Sequence, residues 1–128
     1  MKDSNDEGAA DRARARLLVI EDEPEILYVL VRVLEEAGYE TQGIDTTQLP
    51  DRRPLGFDLV LVDGTSFAWL GASLSTESLG CPLVVMSGGT MHTMRGGGGA
   101  PGVTEWLEKP FDEETLLAVV ARHTGVRR

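Results

Sequence analysis

The sequence predicts an α/β fold of three layers, with a five-stranded parallel sheet that carries helices on both faces. Short apolar runs alternate along the chain with segments of helical periodicity, which is the pattern of β-α-β units. The runs are continuously apolar, as strands covered on both faces are, and Leu59–Val62 is the clearest of them. With 128 residues, the chain has the length of one domain with its own core.

Composition limits the class of protein. Residues 1–15 are polar and lack apolar periodicity, so we interpret them as a flexible tail and residues 16–128 as the domain. A net charge of −9 argues against direct binding to nucleic acid. No apolar stretch reaches the ~18 residues of a membrane span. Cys81 has no disulfide partner in the chain and no signal peptide is recognisable, which favours a reducing, cytoplasmic setting.

The first half of the domain predicts two strands and one secure helix. Leu17–Ile20 is the first strand. A helix follows from Pro24, which suits a first helical position, and continues with apolar residues at helical spacing until Gly38. Thr41–Ile44 is the second strand. Two prolines in residues 46–56 leave room for a short helix only.

The second half predicts three more strands. After the third strand, residues 72–78 could form a weak helix. Leu83–Met86 is the fourth strand, and residues 88–102 hold seven of the fifteen glycines, so we expect the helix between the fourth and fifth strands to be degraded. The fifth strand is Val103–Leu107, and Asp112 is a suitable N-cap for the final helix.

Polar side chains stand where four of these strands end. Glu21 and Asp22 follow the first strand, Asp63 closes the third, Ser87 follows the fourth and Lys109 follows the fifth. The carboxyl ends of parallel strands share one edge of the sheet, where open α/β folds place their chemistry. Carboxylate oxygens suit Mg²⁺, and a hydroxyl and an ammonium suit a phosphoryl group. Asp63 is the candidate nucleophile, because a carboxylate can form an acyl phosphate.

Each of these residues has a simpler interpretation when taken alone. Loop acids are usually just solvated, a strand-end serine usually bonds to local backbone, and a lysine usually lies in solvent. Their coincidence at one sheet edge favours a shared site. Gly97, Gly99 and Gly102 stand in the G-x-G-x-x-G register of a dinucleotide loop, but they precede a strand instead of a helix, so we reject that interpretation.

The order of the motifs carries a family resemblance. The chain has a strand ending in Glu21-Asp22-Glu23-Pro24, then Phe57–Asp63, Leu83–Gly88 and Trp106–Phe111. Over about residues 16–124 this resembles the receiver domain of bacterial two-component response regulators. The resemblance implies a flavodoxin-like sheet of order 2-1-3-4-5. It also implies a Mg²⁺ cofactor, a sensor histidine kinase as donor and a downstream effector protein as partner.

The resemblance assigns a role to each matched position. Glu21 and Asp22 match the acidic pair, and Asp63 matches the phosphoacceptor. The remaining matches are Thr65 for the backbone carbonyl that binds the metal, Ser87 for the switch hydroxyl, Trp106 for the switch aromatic, and Lys109 for the lysine, whose bond to Pro110 we expect to be cis. Such a domain is regulatory, and catalyses only its own phosphorylation and dephosphorylation.

The sequence also departs from the family pattern. Phe67 stands where the family usually has a proline, Gly71 keeps the usual glycine, and the segment from Gly71 to Ser87 is shorter than usual. These departures and the glycine-rich stretch keep open a degenerate receiver that acts as a phosphorylation-independent interaction module. An independent phosphoester hydrolase ranks lower, because no further general base is apparent.

Overall fold

The computed structural model describes residues 14–48, 56–70, 74–88 and 102–124. Within these ranges, five strands form one parallel sheet in the order β2-β1-β3-β4-β5. The strands are β1 (Arg16–Ile20), β2 (Glu40–Ile44), β3 (Leu59–Asp63), β4 (Leu83–Ser87) and β5 (Glu105–Glu108). The predicted fold class and strand order are confirmed.

The described helices are α1 (Pro24–Glu36), α2 (Gly64–Leu70), α3 (Thr76–Leu79) and α4 (Glu113–Thr124), with a 3-10 turn at Thr46–Gln48. As predicted, α1 begins at Pro24, and Gly38 follows its end with a φ of 104°. The predicted N-cap of α4 is also present, because Asp112 Oδ1 accepts a hydrogen bond of 2.8 Å from Thr115 N.

The region after β3 differs from the expectation of one weak helix over residues 72–78. Helix α2 begins directly after Asp63, whose carboxylate accepts from backbone N–H groups of the first turn. Helix α3 is only four residues long and is held by a capping box between Ser75 and Ser78. Local capping bonds therefore decide where these short helices start, and propensity sums do not detect them.

The core lies in two layers, one on each face of the sheet. On one face, α1 and α4 cover β1, β3 and β4 through Leu30, Leu34, Leu116 and Val120. On the other face, the buried residues include Phe67, Leu74, Leu79 and Cys81, with Trp106 packed against them. Every residue of β3 and β4 is buried. The sheet is thus a rigid platform for the side chains at its edge.

Several predictions fall outside the described residues. The tail is one, because residues 1–13 lie outside, although Ala15 belongs to the fold and its carbonyl accepts from Glu40 N at 3.0 Å. The degraded helix between β4 and β5 is another, because residues 89–101 lie outside. In the described parts of the chain, no helix combines the length and the apolar character needed to cross a bilayer.

Candidate functional site

The carboxyl edge of the sheet brings together Glu21, Asp63, Ser87 and Lys109. Strands β3 and β4 pair in parallel, with Asp63 opposite Met86, so Ser87 lies one residue beyond. Lys109 follows β5 and its backbone N–H donates to the carbonyl of Ser87 at 2.7 Å. The bond from Lys109 to Pro110 is cis, as expected. The strand order therefore brings together residues that are far apart in sequence, since Glu21 and Lys109 are separated by 88 positions.

Asp63 and Lys109 form the shortest ion pair of this edge. Lys109 Nζ donates to Asp63 Oδ1 at 2.6 Å, and Asp63 is only 9% exposed. Burial alone would lower the pKa of Lys109, but the hydrogen bond and charge of Asp63, with help from Glu21, raise that pKa above its ordinary value. The lysine is therefore a permanent cation beside the carboxylate.

The second oxygen of Asp63 caps α2. Asp63 Oδ2 accepts from Thr65 N at 3.1 Å and from Ser66 N at 3.4 Å. Thr65 is the second residue of α2 and lies in its first turn. The carbonyls of a helix point toward its C-terminus. The Thr65 carbonyl, which the family resemblance assigns to the metal, is thus directed away from Asp63 in this conformation.

Glu21 is a buried carboxylate with an incomplete set of partners. Its side chain is 1% exposed, and Oε2 accepts from Glu23 N at 3.2 Å. Among the described residues, Oε1 has no hydrogen-bond partner, and Lys109 Nζ lies 3.6 Å away. Burial, and next the negative charge of Asp63, raise the pKa of Glu21 against the opposing effects of Glu23 N–H and Lys109. A cation at this position would relieve the burial cost.

The carboxylate of Asp22 is bonded to Thr46. Its Oδ1 accepts from Thr46 N at 2.8 Å and from Thr46 Oγ1 at 3.0 Å, and Oδ2 is 3.1 Å from the same hydroxyl. Lys109 meanwhile lies between Glu21 and Asp63. As a result, the described residues contain no ready cluster of three acidic, histidine or cysteine side chains for a metal ion. The donor chemistry fits Mg²⁺, but Asp22 is bonded to Thr46, and Lys109 occupies the position between Glu21 and Asp63.

Ser87 is buried close to the start of α2. It is 2% exposed, and its Oγ has no hydrogen-bond partner among the described residues. Gly64 approaches it closely, because a Cβ at Gly64 would lie 3.0 Å from Ser87 Cβ and 3.4 Å from the carbonyl oxygen of Met86. A side chain at position 64 would push α2 away from β4. The hydroxyl predicted to sense a phosphoryl group is thus unengaged.

Trp106 lies on β5, half-buried against the core face that contains Phe67. Phe67, which occupies the family's usual proline position, contacts the Trp106 ring from α2. Sequence reasoning identified Trp106 but missed this contact, together with the roles of Gly64, Ser66 and Thr46. Gly64 could have been suspected from its place directly after Asp63, whereas no pattern marks Thr46.

Comparisons with known proteins agree with this geometry. No protein-family model matches the sequence. The phosphate regulon transcriptional regulatory protein PhoB of Pseudomonas aeruginosa is 30% identical over 123 residues, which cover 85% of this chain and 52% of PhoB. Protein PilH of the same organism is 25% identical over 114 residues, covering 83% of this chain and 94% of PilH. The chain therefore spans about half the length of PhoB, at 52%.

Solved structures give the same result. The non-phosphorylated HemR receiver domain from Leptospira biflexa superposes with a TM-score of 0.68 at 21% identity, covering 90% of this chain and 98% of that one. The chemotaxis response regulator CheY4 of Vibrio cholerae has a TM-score of 0.66 at 26% identity, covering 85% and 98%. The chain contains a response-regulator receiver domain. In this receiver, the edge formed by Glu21, Asp63, Ser87 and Lys109 is the candidate site.

Proposed function

We propose that this receiver accepts a phosphoryl group on Asp63 from the phosphohistidine of a sensor histidine kinase, and that the modification changes a surface for an effector protein. One observation carries the proposal: the Asp63 carboxylate is paired with Lys109 at 2.6 Å, beside a buried Ser87 hydroxyl without a hydrogen-bond partner among the described residues. A purely structural ion pair does not require a spare buried donor next to it. The cytoplasmic setting expected from the sequence is part of this proposal.

Phosphoryl transfer requires the protein mainly to position the reacting groups and to stabilise their charge. An Asp63 carboxylate oxygen forms the new O–P bond while the P–N bond of the phosphohistidine breaks, and the electron pair returns to the departing imidazole. Lys109 stays charged through the step, because its pKa is raised, and offsets the added negative charge. Ser87 Oγ donates to a phosphoryl oxygen and so completes its own hydrogen bonding.

The carboxylates of Glu21, Asp22 and Asp63, with the carbonyl of Thr65, are the groups that would hold Mg²⁺. When bound, the ion supplies charge neutralisation for the incoming phosphoryl group. The raised pKa of Glu21 and its unpartnered Oε1 support a cation there. Asp22 keeps acceptor capacity beyond its hydrogen bonds from Thr46, whereas the first turn of α2 must open for the Thr65 carbonyl to take part. Metal binding by all four groups is therefore coupled to movement at the start of α2.

Signal output depends on how far the new contacts shift the domain. A hydrogen bond to a charged group contributes about 1.5–3 kcal/mol, whereas moving a two-state equilibrium from 1:99 to 99:1 takes about 5.5 kcal/mol. Ser87 cannot supply this alone, so Lys109 and the acid pair must contribute. We infer that Trp106, on β5, reports the change and that the surface of β5 and α4 presents it to the effector.

Intact mass spectrometry after incubation with a small phosphodonor and Mg²⁺ tests the proposal. Wild type should gain one phosphate, which chelation of the metal prevents. Asp63→Asn should gain none, whereas the matched variant Asp58→Asn, an exposed aspartate before the other end of β3, should be labelled like wild type. Wild-type labelling of Asp63→Asn would refute the assignment.

A phosphorylation-independent interaction module is the second candidate. It is favoured by the protein donors that already bind the acids: Thr46 donates to Asp22, and Lys109 and the α2 backbone donate to Asp63. The same mass measurement separates the two candidates, because a module of this kind takes up no phosphate in wild type. Effector binding that is equal in wild type and Asp63→Asn would support it further.

A further inference from the structure

Ser66 places a second buried hydroxyl beside the acceptor. Its side chain is 0% exposed, and Oγ has no hydrogen-bond partner among the described residues. Its backbone N–H meanwhile donates to Asp63 Oδ2 at 3.4 Å. The residue thus touches the acceptor carboxylate through the main chain while its side-chain donor remains unengaged. Neither the sequence motifs nor the family resemblance assigns a role to this position.

Helix geometry places the Ser66 side chain toward Asp63. Ser66 is the third residue of α2, and Asp63 immediately precedes the helix. In an α-helix the Cα–Cβ bonds tilt toward the N-terminus, so a side chain lies over the turn before its own Cα. For Ser66, that preceding turn is the one capped by Asp63. Serines inside helices often bond to a carbonyl of the preceding turn, and Ser66 does not.

A buried hydroxyl without a partner is costly, and native proteins keep few of them. An alanine at position 66 would avoid that cost and has better helix propensity. The resting domain therefore gains nothing from the Ser66 hydroxyl, which suggests a use in another state. Phosphorylation of Asp63 would create that state, because the modification brings three strong acceptor oxygens to this edge.

We propose that Ser66 is a second phosphoryl-binding residue, whose hydroxyl donates to an oxygen of the group carried by Asp63. The inference rests on the proposed phosphorylation of Asp63. Ser66 and Ser87 then approach the phosphoryl group from two elements, the start of α2 and the end of β4. Both hydroxyls are unpartnered before modification among the described residues and satisfied after it.

The test compares stability and ligand binding in the whole chain. Beryllofluoride with Mg²⁺ serves as the phosphoryl mimic. Ser66→Ala should leave the Tm of the unmodified protein unchanged or higher, because no hydrogen bond is lost, and should weaken beryllofluoride binding about tenfold or more. The lifetime of the acyl phosphate, followed by intact mass, should change relative to wild type as well.

Ser78→Ala is the matched control. Ser78 lies in α3, before the opposite end of β4, and its hydroxyl is hydrogen-bonded in the capping box with Ser75. This variant should therefore lower Tm and leave beryllofluoride affinity unchanged, the reverse of Ser66→Ala.

The outcomes separate the two levels of the proposal. Equal beryllofluoride affinity in wild type and Ser66→Ala overturns the role of Ser66 while leaving phosphorylation of Asp63 intact. A lowered Tm for the unmodified Ser66→Ala protein also overturns it, because the hydroxyl would then have a structural partner. A wild type that binds no beryllofluoride and gains no phosphate contradicts the proposed function itself.

Discussion

The rings of Phe67 and Trp106 meet edge to face, with centroids 5.9 Å apart and planes at 90°. Phe67 lies on α2, the helix capped by Asp63, and Trp106 lies on β5, the strand that leads into Lys109. The pair therefore connects the helix that Asp63 caps with the strand that leads to its lysine partner. A rearrangement at the start of α2 can reach β5 by direct contact, in addition to any effect that passes through Ser87.

A double-mutant cycle measures this contact. Edge-to-face aromatic pairs contribute about 0.5–1.5 kcal/mol beyond the area they bury. We expect a coupling energy in that range between Phe67→Leu and Trp106→Leu, obtained from urea unfolding of the single and double variants. The control cycle pairs Phe67→Leu with Leu107→Ala, on the opposite face of β5, and should be additive within about 0.5 kcal/mol. Equal coupling in both cycles would rule out a specific ring contact.

Lys109→Ala tests how the acids depend on their counter-charge. Removing the ammonium breaks the 2.6 Å bond to Asp63 and leaves Glu21 buried near another carboxylate. We expect a loss of about 1.5–3 kcal/mol in the free energy of unfolding. Added Mg²⁺ should raise the Tm of this variant more than that of wild type, because the ion then replaces the missing positive charge. Equal Tm increases in the two proteins would argue against binding at these acids.

Glu21→Gln should stabilise the unmodified domain at neutral pH. The folded-state pKa of Glu21 is raised, so its ionised form costs stability above that pKa, and the cost disappears as pH falls toward and below the ordinary value of 4.5. The variant should gain about 1 kcal/mol or more at pH 7, and the gain should shrink on acidification. Unfolding of both proteins across this pH range gives the difference. A loss of stability in Glu21→Gln at pH 7 would show that the attraction between ionised Glu21 and Lys109 outweighs the cost of burying the Glu21 charge.

The fold was largely predictable because its signals are local in sequence. Continuous apolar runs identified β1, β3 and β4, and the strand ends located Glu21, Asp63, Ser87 and Lys109 at one edge, where the structure gathers them. Asp22 shows the limit of this reasoning. Its sequence position matches the acidic pair, but its carboxylate bonds to Thr46, 24 residues away, and no sequence pattern indicates that contact.

The start of α2 was unpredictable for a related reason. Gly64, Thr65 and Ser66 have modest or poor helix propensity, and the sequence predicted no helix before residue 72. The carboxylate of Asp63 satisfies two backbone N–H groups of that turn, and this compensates for the weak propensity. The Asp63 side chain therefore serves two purposes, as the candidate acceptor and as the cap of α2, and the sequence pattern indicated only the first.

Glu105 links the pH dependence of stability to the contact between β5 and α4. Burial alone would raise the pKa of Glu105, but hydrogen bonds from Arg122 and His123 outweigh it and lower that pKa below 4.5. The stabilisation is therefore fully present above pH 4.5 and is lost as pH falls through the lowered folded-state pKa.

Substitution of Glu105 tests that dependence. Glu105→Gln should cost about 0.2–1 kcal/mol at pH 7, because the contacts are partly exposed, and the difference from wild type should vanish at strongly acidic pH. Unfolding curves at several pH values measure it. Glu36→Gln is the comparison variant, because it removes the exposed ion pair between Arg32 and Glu36 on α1. A difference for Glu105→Gln that persists unchanged at acidic pH would mean that charge is not its cause.

Tryptophan fluorescence follows the signal from Asp63 to β5. Trp106 is already half-buried against Phe67, so further inward movement meets overpacking costs of about 1–3 kcal/mol, comparable to the ~1.5–3 kcal/mol that a Ser87 hydrogen bond supplies. We therefore expect beryllofluoride with Mg²⁺ to produce only a partial change in Trp106 emission. Trp69→Phe isolates that emission. Adding Ser87→Ala to Trp69→Phe should reduce the change, because the hydroxyl that the phosphoryl mimic attracts is gone.

Adding Phe67→Leu to Trp69→Phe should instead enlarge the change in emission, because the smaller side chain leaves Trp106 room to move. A response that survives in Trp106→Phe but disappears in Trp69→Phe would locate the movement in α2 alone and exclude transmission to β5.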